Sequence, residues 1–227
     1  RRHRNVTVGH AISTDLKNWT VVADALAPSE SPAADSWTTW TGSVVQNVDG
    51  IWWMFYTGTS REDAGERQTV CAATSLDLMS WTKVANLPVA AADARWYKTL
   101  AAGFDNEPFR DPWVFRLPGE TEWTMLTTAG SVEAKNRQEE GVMAVAMSTD
   151  LKSWTVKEPL GAPGQGFGET EVFQFEIVDG VPILLFCCAS QWISEERKAA
   201  GDRAPFAAAA RRLRDGHAHA SAAPRHL

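Results

Sequence analysis

The sequence predicts an all-β protein, a β-propeller assembled from four-stranded antiparallel blades. Three observations carry this: an internal repeat, aromatic strands that follow tight-turn signals, and the near absence of long helical periodicity before residue 190. In the repeat a short apolar strand runs into Ser or Thr, then Asp-Leu, two further residues and Trp. It occurs at Gly9 to Thr20 (GHAISTDLKNWT), Cys71 to Thr82 (CAATSLDLMSWT) and Ala144 to Thr155 (AVAMSTDLKSWT), with Trp19, Trp81 and Trp154 spaced by 62 and 73 residues. Recurrence at such spacing marks supersecondary units that share a core.

Each unit also holds a strand rich in aromatic and β-branched residues: Ile51 to Gly58, Glu122 to Ala129 and Val181 to Ala189. Asp49-Gly50 and Asp179-Gly180 precede the first and third of these, and Asp-Gly is the strongest short-range marker of a hairpin. Strand, tight turn, strand and an Asp-Leu-x-x-Trp corner together describe an antiparallel blade. The near absence of helical periodicity disfavours an α/β fold with crossover helices. A sandwich, the alternative, has turns every 8 to 12 residues but no long period, so the propeller fits better.

From residue 199 the pattern stops. The last thirty residues hold eleven Ala, five Arg and three of the five His, with no strand alternation. Residues 1–198 are therefore expected to form the propeller domain and residues 199–227 a disordered or non-native tail. Ala207 to Arg214 has the propensity for a short helix, and His217, His219 and His226 are read as part of the tail rather than as a metal tract.

The charge is −6 overall, but residues 198–227 carry +4 of it, which leaves −10 for the body. An acidic body lacks the clustered Lys and Arg of a nucleic-acid surface. Cys71, Cys187 and Cys188 form neither a disulfide framework nor a zinc spacing and are read as small core residues. No apolar run reaches 18 residues, and Arg1 to Arg4 are not followed by an apolar stretch, so neither a membrane span nor a signal peptide is read. Localisation and oligomeric state stay open.

Two segments place carboxylates at the start of apolar strands. In Phe109-Arg110-Asp111-Pro112-Trp113-Val114-Phe115, strict alternation sets Asp111 on the face of Trp113 and Phe115. In Glu169-Thr170-Glu171-Val172-Phe173-Gln174-Phe175, it sets Glu171 with Phe173 and Phe175, where burial raises a carboxyl pKa toward that of a general acid. Glu169 lies on the same face and competes for the role. Carboxylates from successive blades converge on the propeller axis, and a pair across a pocket is the machinery of glycoside hydrolysis.

These segments resemble glycoside hydrolase family 32 and the related families 43 and 68. Arg110-Asp111-Pro112 is similar to the family's Arg-Asp-Pro motif, and Glu171-Val172 to its Glu-Cys-Pro or Glu-Val-Pro segment, with Phe173 standing where the Pro is expected. Trp40-Thr41-Gly42-Ser43 resembles its Trp-Ser-Gly-Ser segment, Phe55-Tyr56-Thr57-Gly58 its Phe-Tyr-Thr-Gly strand, and His10-Ala11 with Asp15, Leu16 and Trp19 its His-Ala-x-Ser-x-Asp-Leu-x-x-Trp segment.

The resemblance implies a five-bladed propeller, of which this chain is expected to be an incomplete arc of three to four blades. It further implies retaining hydrolysis of β-fructosides such as sucrose, levan or inulin, with Glu171 as acid and base and Asp111 as transition-state stabiliser. Arg110 is then expected to orient one of these carboxylates. Trp40, Ser43, Trp113 and Trp37 are expected at the sugar, and Trp53 is a further stacking candidate. The partner is a small carbohydrate, and no cofactor or metal is implied. The family's nucleophile is an Asp in an Asn-Asp-Pro or Trp-Asp-Pro segment ahead of the His-Ala segment, and neither tripeptide occurs in the 227 residues. The chain alone is therefore expected to lack turnover. A family 43-like arabinosidase or xylosidase and a non-catalytic carbohydrate-binding propeller are the alternatives.

Overall fold

The computed structural model describes residues 3–201, 208–210 and 220–222. In chain order, β1 (Val8–Ile12) and β2 (Thr20–Leu26) form a two-stranded antiparallel sheet. β3 (Thr38–Gln46), β4 (Trp52–Thr59), β5 (Gln68–Ser75) and β6 (Thr82–Lys83) form a four-stranded one. A second four-stranded sheet holds β7 (Phe109–Phe115), β8 (Trp123–Gly130), β9 (Gly141–Ser148) and β10 (Thr155–Lys157), and β11 (Glu171–Val178) pairs with β12 (Val181–Cys187). The repeat accounts for this layout. The Asp-Leu-x-x-Trp corner joins β1 to β2, β5 to β6 and β9 to β10, so β1 and β2 correspond to the outer two strands of a blade. β11 and β12 correspond to the inner two. Two complete blades thus stand between two half-blades, and the strands β3, β7 and β11 are the inner ones, with β7 packed against both others.

The corners explain why these residue types recur. Leu16, Leu78 and Leu151 have φ of 58°, 63° and 64°, a left-handed conformation that costs a side chain about 1–2 kcal/mol. Local hydrogen bonds offset it. Ser13, Ser75 and Ser148 Oγ each accept the leucine N–H at 2.8–2.9 Å. Asp15, Asp77 and Asp150 Oδ1 each accept two following N–H groups at 2.8–2.9 Å. Those donors hold all three carboxyls below the usual carboxylate range. Trp81 and Trp154 close the corner by donating Nε1–H to the carbonyls of Leu78 and Leu151.

The hairpins follow their turn residues. Val178 pairs with Val181 across Asp179 (φ 51°) and Gly180 (φ 75°), the two left-handed residues of a type I′ turn. Between β3 and β4 the loop is longer, and there only Gly50 of the Asp-Gly pair has positive φ.

Apolar side chains fill the spaces between blades. Phe55, Tyr97, Phe109 and Met125 are fully buried between the two complete blades, and the Trp154 ring meets Phe55 edge-on at 5.3 Å. Phe167, Phe173 and Leu184 form a second cluster with Leu126 against the last half-blade. Cys71 and Cys188 are buried and Cys187 half-buried, all three as free thiols.

The inner strands depart from simple alternation. Each carries a β-bulge at the same height: Trp40-Thr41 between the pairs Thr39–Gly58 and Gly42–Tyr56, Asp111-Pro112 between Arg110–Thr128 and Trp113–Leu126, and Val172-Phe173 between Glu171–Cys187 and Gln174–Leu185. A bulge puts two residues opposite one and resets which face the next side chain occupies. The expected faces are corrected accordingly. Asp111 does not share a face with Trp113 and Phe115, and Glu171 does not open the apolar face of Phe173 and Phe175. Nor do the two carboxylates occupy equivalent positions, because Glu171 matches Arg110 in register and Asp111 matches Val172.

Beyond β12, a short helix α1 (Glu195–Ala199), capped by Ser194 Oγ, runs across the boundary expected at residue 198. Ala208–Ala210 (β13) pairs with Ala220–Ala222 (β14), so these alanines satisfy their backbone groups across a ladder rather than within the short helix that propensity allows. His217, His219 and His226 lie outside the described residues.

Candidate active site

The bulges of β7 and β11 set Arg110, Asp111, Glu169 and Glu171 around one cavity of about 710 Å³, whose wall also includes His3, Thr39, Trp40, Thr41, Gln68 and Val172. That volume suits a small molecule. Asp111 has φ 56° and Val172 φ 53°. For a β-branched residue such as Val172 this is a true outlier costing about 1–3 kcal/mol, the kind of strain that clusters at functional sites.

Asp111 is 7% exposed and is held from three strands. Its Oδ1 accepts the Thr41 hydroxyl and its Oδ2 the Thr128 hydroxyl at 3.2 Å, while its N–H donates to Thr57 Oγ1 at 2.8 Å. Thr57 in turn donates to the Thr41 carbonyl at 3.1 Å. These bonds fix the carboxylate at the cavity wall with one edge toward Arg110 Nε, 3.5 Å away.

Arg110 is the hub. Its Nη2 lies 2.8 Å from Glu171 Oε1 and 3.0 Å from Glu169 Oε2, and its Nη1 donates to Gln68 Oε1 at 3.0 Å. Burial opposes the charged guanidinium, but Glu169, Asp111 and Glu171 outweigh it and raise its pKa further. Glu171 is therefore held by an ion pair, with its side chain 28% exposed to the cavity. Glu169 is shared between two cations, since its Oε1 lies 2.8 Å from Arg137 Nη2. Arg137 also pairs with Glu140, which meets Lys98 at 3.1 Å. Arg110, Glu169, Arg137, Glu140 and Lys98 form a line of alternating charge leading away from Glu171.

The aromatic candidates separate. Trp40 lines this cavity and donates Nε1–H to the His3 carbonyl at 3.2 Å. Trp113 and Ser43 line instead an adjoining, mainly apolar cavity of about 930 Å³ that shares Val8, Trp40 and Thr41 with the first. There Ser43 Oγ accepts the Val114 N–H at 2.9 Å and ties β3 to β7. Trp37 lies under the Arg4 guanidinium and borders neither cavity, and Trp53 is buried in the core.

Thr128, Gln68 and Arg137 were not legible as site residues. Each acts across strands that only the fold brings together. The one available signal was the pair Thr127-Thr128 at the end of a strand, matching Thr57-Gly58 in the preceding blade. Among the described residues no group of three or more His, Cys, Asp and Glu is placed to hold a metal ion. What the arrangement offers is a fixed carboxylate, a second carboxyl with access to the cavity, and a guanidinium between them.

Residues 1–202 match the family model for the Glycosyl hydrolases family 32 N-terminal domain. A curated relative, beta-fructofuranosidase, insoluble isoenzyme 2, of Oryza sativa subsp. indica, is 29% identical over 181 residues, covering 78% of this chain and 28% of the relative. The cell wall isozyme of beta-fructofuranosidase from Zea mays is 33% identical over 162 residues, covering 69% of this chain and 25% of the relative. Among solved structures, sucrose-6-phosphate hydrolase from Lactobacillus gasseri superposes with a TM-score of 0.72 at 20% identity, over 93% of this chain and 40% of that one, a likeness of fold. The chain spans about a quarter of the length of the curated relatives it matches.

Proposed function

The chain belongs to glycosyl hydrolase family 32, and from that premise we propose that it supplies the acid and the transition-state stabiliser for retaining hydrolysis of β-fructosides of the sucrose, levan or inulin type. One observation carries the reading: Asp111 and Glu171, from neighbouring blades, meet at one cavity with Arg110 between them. In this mechanism Glu171 protonates the leaving oxygen and then, ionised, activates water. Asp111 accepts hydroxyl hydrogens of the sugar more strongly as cationic character develops at the ring. Its donors Thr41 and Thr128, and Thr57 Oγ1, which accepts its backbone N–H, keep it from turning away. Arg110 orients Glu171 through the 2.8 Å contact. A double displacement also needs a carboxylate nucleophile about 5–5.5 Å from the acid, which the family resemblance assigns to a segment ahead of His10.

The test uses a protein in which residues 1–201 are joined to such a nucleophile-bearing strand. Glu171→Gln is expected to lower turnover of sucrose by about 100-fold to 10,000-fold. It should slow the first step on an activated aryl fructoside far less, so that a glycosyl-enzyme accumulates. Asp111→Asn should slow both substrates alike. Equal losses on both substrates in Glu171→Gln, or greater damage from Glu169→Gln, would move the acid to another residue.

A further inference from the structure

We propose that Glu169, together with Arg137, is a positioning residue that sets how much of the Arg110 charge reaches Glu171, and through it the pH range in which the acid is protonated. The inference rests on the reading of Glu171 as the acid. Arg110 Nη2 is divided between Glu171 Oε1 at 2.8 Å and Glu169 Oε2 at 3.0 Å. A guanidinium facing Glu171 alone would favour the carboxylate and withdraw the acid form. The Glu169 charge takes part of that field, and Arg137, 2.8 Å from Glu169 Oε1 and lying over the Trp192 ring at 4.3 Å, takes part of the Glu169 charge in turn. Arg137 is itself anchored on Glu140, buried beside Lys98.

His3, ahead of β1, borders the same cavity as Glu171. Arg110 and Asp111 come from β7, Glu169 from the segment before β11, and Cys187 and Cys188 from the end of β12 and just beyond. Burial pushes both thiols up, Cys188 to about 11, so neither carries charge where a carboxyl titrates. The two variants alter only the balance among Arg110, Asp111, Glu169 and, through Glu169, Arg137, while His3 is the same in both.

Glu169→Gln and Arg137→Gln are expected to act in opposite directions. Glu169→Gln leaves the whole Arg110 charge to Glu171 and favours its ionised form. Arg137→Gln leaves Glu169 uncompensated and favours the protonated form. Site-resolved carbon-13 titration of the Glu171 carboxyl in the 227-residue chain should show its midpoint move down by about 1 pH unit in Glu169→Gln and up by a similar amount in Arg137→Gln. In the nucleophile-complemented protein the basic limb of kcat/KM should follow. If Glu169→Gln does not fold, Glu169→Asp, which draws the charge back from Arg110, should move the midpoint the same way by less. Midpoints that move together, or not at all, overturn the inference. Loss of sucrose turnover in Glu171→Gln is the separate test of the acid, so the two failures are distinguishable.

Discussion

Arg110→Met removes the one cation that three carboxylates share. The Arg110 side chain is 11% exposed, and those of Asp111, Glu169 and Glu171 are 7%, 19% and 28% exposed. Breaking a buried pair by removing one partner costs about 3–5 kcal/mol, because the remaining charge is left without compensation. Glu169 keeps Arg137 and Glu171 borders the cavity, so the lower end, about 3 kcal/mol near neutral pH, is expected. In a domain of this size that is a fall in Tm of roughly 6–12 °C. The pH dependence identifies the cause. The Arg110 pKa is raised above an already high value by Glu169, Asp111 and Glu171, so the guanidinium stays charged across the acid and neutral range and any change in its contribution there comes from its carboxylate partners. In the variant the orphaned carboxyls titrate above their unfolded values near 4. Carboxyls raised in this way bind protons more readily folded than unfolded, so the penalty is full at neutral pH and fades as pH falls toward about 4. Urea denaturation of wild type and variant across that interval measures it. A loss below about 1 kcal/mol, or one that stays constant with pH, would refute the account of Arg110 as a charge hub.

Other perturbations test the frame that holds the site. Asp150→Ala removes two N–H acceptor contacts from the corner after β9 and is expected to cost about 1 kcal/mol near neutral pH, by analogy with a lost helix cap and allowing for solvent exposure. The Asp150 carboxyl is depressed, chiefly by the Ser153 N–H, so the difference from wild type should be present above about pH 4 and disappear as pH falls through the folded value; a difference that persists in acid would point to packing instead. Gly42→Ala would place a Cβ 1.8 Å from the Phe55 carbonyl oxygen, so the β3 bulge must shift. A loss of about 3 kcal/mol in urea unfolding is expected, and an unchanged midpoint would mean that the bulge is not held by β4.

The blade plan was legible because its signals are local. Ser, Asp, Leu and Trp at the corner bond to one another within six residues, and Asp179-Gly180 makes its own turn. The site was legible in its residue types but not in its geometry. A bulge adds one residue without changing composition, so alternation carried across Asp111-Pro112 and Val172-Phe173 assigns the wrong faces. The grip of Arg110 on Glu171 links positions 61 apart, and Arg137 reaches Glu169 from a single 3-10 turn, Arg137–Glu139, that carries no motif. Ser43 and Trp113 neighbour the Thr41 and Asp111 segments in sequence, yet they border the adjoining cavity because the bulge turns them there.

The three inner-strand bulges lie at one height, but each carries a different pair: Trp40-Thr41, Asp111-Pro112 and Val172-Phe173. The backbone repeats while the chemistry does not. Around the axis the same bend therefore presents an aromatic wall, then a fixed anion, then the strained neighbour of the ion-paired Glu171 carboxyl. A repeated scaffold with unlike groups at each station distinguishes the orientations of any asymmetric small molecule that enters the cavity.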